Sequence, residues 1–232
     1  MLISVHMPKT AGTSFEDALR AVLGERLLRY STQPLSSTIN DRMARLKCKL
    51  FVRLRGKEIV SRYEAITGHF VADTFDSLPC EKQFCAFFRE PVDRVISHYL
   101  YWNKRHLELT RQGLKVPRHS AWRHMIRKSL SINDFAAQPK MANFYSLMLG
   151  PKRPDEFHFI GLKEEYQTSL LLFEKIFGIK LQEKRERIMD REQYAELLHG
   201  MDRDELGVSQ RKNREIYDQA HRRFDQLCAQ YL

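Results

Sequence analysis

LISVHMPKTAGTSF, residues 2–15, carries a short apolar strand straight into a compact polar loop and then into a helix. Residues 2–7 (LISVHM) read as a short buried strand, and Pro8 breaks it. Residues 15–23 follow with Phe15, Ala18, Leu19 and Val22 at helical spacing, and Thr13 or Ser14 can supply the capping hydroxyl. A strand, a tight loop and a helix in this order form a setting in which backbone N–H groups and a helix N-terminus cradle a phosphate. Across Lys9, Thr10, Ala11, Gly12, Thr13 and Ser14, the glycine would let the backbone approach an anion closely. The hydroxyls would donate, and Lys9 would bring a mobile positive charge. The loop is not a Walker A motif, because its lysine precedes the only glycine, and no apolar strand ending in a Walker-B-type aspartate follows. Taken alone, these residues also fit an N-capped helix after an ordinary turn.

Further strands and helices alternate downstream. Residues 64–67 read as a short strand ended by Gly68, and residues 83–88 (QFCAFF) as the strongest strand in the chain. Pro91 suits the first turn of a helix running to about Arg105. Residues 157–160 read as a strand, residues 164–177 as a helix closed by Gly178, and residues 209–231 as a terminal helix. The pattern predicts an α/β fold: a single P-loop-like domain over residues 1–232, with a mostly parallel central sheet flanked by helices. No internal repeat, low-complexity segment or Gly/Ser linker divides it.

The 232 residues are 43% hydrophobic with a mean hydropathy of −0.50, which excludes a disordered chain and a membrane-spanning one. Residues 1–14 lack the form of a secretory signal, and Cys48, Cys80, Cys85 and Cys228 make no C-x-x-C pair or zinc spacing. A cytoplasmic protein with reduced thiols is expected. The net charge of +10 is uneven: residues 42–62 and 103–128 each carry a net +7, leaving −4 for the rest. Two basic stretches on a mildly acidic body suit a polyanionic partner: nucleic acid, anionic lipid, acidic glycan or a highly charged nucleotide. They also suit two solvated surfaces.

A second anion motif follows the strongest strand. Arg89 stands at its carboxyl edge, where open α/β sheets bind ligands, and Ser97 lies two turns along the next helix. A guanidinium and a hydroxyl converging there would hold a second phosphate. With both motifs in place the chain resembles the sulfotransferases. PKTAGTS, residues 8–14, is similar to their 5′-phosphosulfate loop, and Arg89-x-Pro91-x-x-Arg94-x-x-Ser97 to their 3′-phosphate motif. The resemblance is to sulfotransferase family 2, the carbohydrate sulfotransferases related to heparan and dermatan uronyl 2-O-sulfotransferases and their bacterial relatives. TGHF at 67–70, NFYSL at 143–147 and FIGLKEE at 159–165 extend it over most of the chain; Glu90 departs from it, where the family usually has Asp.

The resemblance implies 3′-phosphoadenylyl sulfate (PAPS) as donor, adenosine 3′,5′-bisphosphate as leaving product, and a hydroxyl acceptor on a carbohydrate. No metal is required, because Lys9 and the helix terminus can meet the charge on the leaving oxygen. Arg89 and Ser97 would hold the 3′-phosphate, and the Lys9–Ser14 loop the 5′-phosphate. The Gly-His of the 2-O-sulfotransferases is their catalytic base, which points to His69 after Gly68. A structural or acceptor-binding histidine is the alternative, and Glu16 is the second choice of base. The basic stretches then read as a platform for an acidic glycan acceptor rather than for nucleic acid. A small-metabolite P-loop kinase and a non-catalytic polyanion-binding module are the competing readings.

Overall fold

The computed structural model describes residues 1–31, 41–115, 121–182 and 192–232. Its strands are β1 (Leu2–Val5), β2 (Leu27–Arg29), β3 (Ala65–Gly68), β4 (Gln83–Phe88) and β5 (Phe159–Leu162). All pair in parallel, in the order β2-β3-β1-β4-β5. Every residue of β1, β3 and β5 is buried, so these strands are covered on both faces, as parallel strands between helices are.

The helices are α1 (Gly12–Leu23), α2 (Asp41–Arg62), α3 (Pro91–Arg111), α4 (Ala121–Arg127), α5 (Ile132–Ala137), α6 (Pro139–Ala142), α7 (Phe144–Leu149), α8 (Tyr166–Phe177), α9 (Arg203–Ser209) and α10 (Arg211–Tyr231). On one face of the sheet, Phe15 of α1 meets Phe87 of β4 at 4.9 Å and Phe173 of α8 at 5.1 Å between ring centroids. On the other face, the Phe88 ring packs on Tyr145 of α7 at 5.0 Å. Adjacent residues of β4 thus feed opposite layers, the period-two alternation of a strand. Gly161 of β5 makes room for the Phe87 ring, because a Cβ there would lie 2.5 Å from it.

Several expectations need correction. Neither Thr13 nor Ser14 caps the first helix: it begins at Gly12, its cap position is Ala11, and no side chain bonds its first turn. The helix from Pro91 continues past Arg105 to Arg111, so the first part of the second basic stretch lies on it. The first basic stretch forms most of α2. Arg118 and His119 of the second stretch lie outside the described residues. The fifth strand is Phe159–Leu162, shifted two residues along, and the edge strand β2 was not anticipated. No described helix is long and apolar enough to cross a membrane.

Candidate functional site

The order of the sheet fixes where the site lies. β1 is flanked by β3 on one side and β4 on the other, and Val5 is in register with both Gly68 and Ala86. The chain runs from β1 out to β2, back through β3 and over to β4, so the crossovers part company at β1. Such a switch point opens a crevice at the carboxyl ends of the strands. The loop carrying Lys9 leaves β1, His69 follows β3 and Arg89 follows β4. Three chemically distinct segments are therefore neighbours because their strands are neighbours.

The loop after β1 is held in an uncommon backbone shape. Lys9 and Ala11 both have φ of 72°, the left-handed region, and Ser129 is the one other described non-glycine residue with positive φ. Each such residue costs on the order of 1 kcal/mol, and the surrounding contacts compensate. The buried Thr10 hydroxyl donates to the carbonyl of Met7 at 2.8 Å, closing the turn from within. Thr10 is thus turned inward, whereas Thr13 is exposed and Ser14 half-buried at the mouth. With Ala11 at the cap position, no side chain satisfies the first-turn N–H groups of α1. Gly12 has a packing role as well: a Cβ there would lie 2.0 Å from the His6 ring.

His6 and His69 pack against each other where β1 and β3 end. His6 donates from Nδ1 to Oε2 of Glu16 at 3.0 Å, and its ring lies 4.3 Å from that of His69. Burial raises the pKa of Glu16, but the His6 hydrogen bond and the charges of His6 and Arg29 outweigh it and hold the carboxyl below its ordinary value. Arg29 Nε reaches Glu16 Oε1 at 2.6 Å, so this carboxylate is engaged in structural pairing. His69 Nδ1 lies 2.7 Å from the carbonyl oxygen of His6. A carbonyl only accepts, so Nδ1 carries the proton and, in the neutral ring, Nε2 carries the lone pair. Burial, with the charge of His6, lowers the His69 pKa to about 4. At neutral pH this ring is an unprotonated imidazole with a defined tautomer.

Gly68, just before it, has φ of 144° and lies so close to Tyr30 that a Cβ would meet the Tyr30 carbonyl oxygen at 1.8 Å. The glycine thus sets the position from which His69 turns under the loop.

Lys9 and Arg89 approach from the β4 side. Lys9 Nζ sits over the ring of Tyr101 on α3, 4.5 Å from its centroid. Tyr101 is exposed beside the loop, whereas Tyr99 and Trp102 of the same helix are buried. Arg89 Nη1 points to the carbonyl oxygen of Lys9 at 3.4 Å, so the two anion motifs touch at this point. Ser97 lies one turn before Tyr101 on the same side of α3, half-buried.

The backbone of Arg89 is pinned from a distant part of the chain. The Tyr145 hydroxyl accepts from Arg89 N–H at 3.0 Å and donates to the Arg89 carbonyl. Tyr145 N–H in turn donates to Asn213 Oδ1 at 3.0 Å, and Asn213 Nδ2 to the carbonyl of Met141 at 2.8 Å. Glu90 caps α3 through Asp93 N–H at 2.7 Å and pairs with Arg214. Glu90 therefore clamps α3 to α10.

Beneath the crevice lies a buried Arg94–His98 pair that the sequence did not single out. Arg94 is fully buried, stacks on the Phe144 ring at 3.8 Å, and donates from Nη1 to His98 Nδ1 at 3.2 Å. Guanidinium cannot accept, so His98 holds its proton on Nε2. Burial lowers the pKa of Arg94 to about 10 and that of His98 well below its ordinary value, the latter aided by the charges of Arg94, Lys9 and His69. Two nitrogens of Arg94, Nε and Nη2, have no hydrogen-bond partner among the described residues.

A separate open depression of about 760 Å³ lies between α9 and the start of α10, lined in part by Arg203, Arg211 and Lys212. Arg203 reaches Asp93 of α3 at 3.4 Å, which links this depression to the helix carrying Ser97. Among the described residues no group of three or more His, Cys, Asp or Glu is arranged to hold a metal ion. Comparison with protein-family models and with curated proteins finds no match to this chain.

Proposed function

We propose that the protein is a PAPS-dependent O-sulfotransferase. The observation that carries this reading is the convergence of the strained Lys9 loop, His69 and Arg89 on the carboxyl ends of three adjacent parallel strands. The uncapped first turn of α1 would receive the 5′-phosphosulfate, with Thr13 and Ser14 donating at its mouth. Arg89 and Ser97 would hold the 3′-phosphate and so select PAPS over ATP.

The transfer is an in-line exchange at sulfur. The acceptor hydroxyl oxygen attacks the sulfur and its proton passes to Nε2 of His69, which the bond from Nδ1 to His6 keeps as the lone-pair nitrogen. The S–O bond to the 5′-phosphate breaks, and its electron pair leaves with adenosine 3′,5′-bisphosphate. Lys9 Nζ, moving from the Tyr101 ring, meets the charge that grows on the leaving oxygen. With a bound donor nearby, its negative charge raises the basicity of His69 toward the working pH. The acceptor class favoured by the resemblance is a carbohydrate hydroxyl, and the site is taken to lie in the cytoplasm.

The test is transfer of labelled sulfate from PAPS across a panel of glycans, lipids and phenols, comparing the parent with Lys9→Ala. Transfer by the parent and its collapse in the variant support the reading. Absence of transfer to every acceptor, with Mg-ATP stabilising the fold better than the bisphosphate, would favour a kinase instead.

A further inference from the structure

The helix formed by the first basic stretch carries apolar side chains on two faces. Val52 and Ile59 of α2 are buried, Gly56 lies against Pro79, and Lys49 bonds Asp73 at 2.7 Å, so the inner face is fixed to the domain. The outer face is unusual for a water-facing surface. Leu46, Leu50 and Leu54 are 64%, 55% and 74% exposed. At about 100° per residue they fall in one sector about 80° wide. Lys57 lies within that sector, and Lys47 and Arg53 lie on its two borders. None of these three cations makes an ion pair with a described carboxylate.

We infer that this face of α2 lies on an anionic lipid surface, with the leucines inserted at the headgroup boundary and the lysines and arginine on lipid phosphates. The pattern is a row of apolar side chains flanked by long cationic ones, which suits an interface where apolar and anionic groups meet within a few ångströms. A polyanionic glycan or nucleic acid would pair with the cations but offer nothing to three leucines. A second copy of the helix would bring the same cations face to face. The inference does not depend on the transfer reading; it uses residues outside the Lys9–His69–Arg89 crevice.

The test is sedimentation of the full chain with vesicles of phosphatidylserine and phosphatidylcholine, and with phosphatidylcholine alone. The expected result is binding only to the anionic vesicles. It should weaken about tenfold or more in the Leu50→Ser, Leu54→Ser double variant and comparably in the Lys47→Glu, Lys57→Glu variant. The thermal midpoint of the serine variant should match the parent, because both leucines are exposed. No binding to anionic vesicles overturns the inference. So does binding that the serine pair leaves unchanged, which would make α2 a plain polycation. Dimerisation of the parent without lipid, abolished by the serine pair, would assign the face to a second copy instead.

Discussion

His69 donates its Nδ1 proton to the main-chain carbonyl of His6 across 2.7 Å, which ties the residue after β3 to the residue after β1. One hydrogen bond thereby sets both the orientation of the ring and the nitrogen that holds the lone pair. The two rings lie 4.3 Å apart, and the His6 ring is itself seated on Gly12.

The pH profile should carry the mark of this burial. With its pKa lowered to about 4, His69 stays neutral in the unliganded protein throughout the mildly acidic range, so on the proposed reading the base is ready there. The acid limb of kcat/KM should therefore fall near pH 4, well below the ordinary imidazole value. The acid limb of kcat should lie higher, because the bound anionic donor favours the protonated ring. Rate measurements from pH 4 to 8 check this; an acid limb near 6.5 in both parameters would show a solvent-exposed base.

His69→Ala should lower kcat by about 10²–10⁴-fold, the usual worth of a positioned general base. The affinity for adenosine 3′,5′-bisphosphate should change little. A large loss of bisphosphate affinity with kcat preserved would make His69 a binding residue.

Stability should fall on acidification from the same cause. The folded-state pKa of His69 is below its ordinary 6.5, so the unfolded chain binds a proton that the folded chain refuses. The associated stability is complete above about pH 6.5 and is lost as the pH drops toward 4, by up to about 3 kcal/mol. The lowered carboxyl of Glu16 acts in the same sense, its contribution being lost as the pH falls through its folded-state value. Urea midpoints at pH 7.5 and 4.5 should separate more in the parent than in His69→Ala; equal separations would remove His69 from the account.

Lys9→Ala should reduce turnover by about 10²–10³-fold, as for loss of a cationic donor to a developing oxyanion. Tyr101→Ala removes only the ring on which Nζ rests and should cost less than Lys9→Ala. Steady-state rates of the two variants decide the order, and the reverse order would place the important contact on the ring.

Tyr145→Phe should strip partners from both the N–H and the carbonyl of Arg89. Leaving such groups unpaired costs about 1–3 kcal/mol, and bisphosphate binding should weaken together with stability. Gly12→Ala should also destabilise, by about 1–3 kcal/mol, because the new methyl meets the His6 ring. Chemical denaturation checks both; a neutral Gly12→Ala would mean that the His6 ring moves freely.

The sequence makes the sheet legible where chemistry is concentrated. QFCAFF reads as a strand at its observed bounds, because five of its six residues are buried and aromatic or small. β2 escapes because it has three residues, with Leu27 alone buried, and its strand character comes only from pairing with β3. The regularity of α2 escapes because apolar residues on two faces blur the period that marks a one-sided helix.

Lys9, His69 and Arg89 were each visible as residues after a strand, and the sheet order supplies what brings them together. The long-range partners were not visible. Tyr145 acts on a residue 56 positions away, and nothing local in NFYSL distinguishes its hydroxyl from that of a packed tyrosine. Arg94 lies within the RxPxxRxxS stretch at 89–97 and His98 just after it, but their pairing follows from burial on the inner side of α3, which a spacing of four residues permits without demanding.

Calorimetric titration with adenosine 3′,5′-bisphosphate, run beside Mg-ATP, tests the central claim most directly. The account predicts one-site binding of the bisphosphate, tighter than that of Mg-ATP, and weakened in Arg89→Ala through loss of the 3′-phosphate contact. No heat of binding with the bisphosphate, or tighter binding of Mg-ATP that Arg89→Ala leaves unchanged, would contradict it.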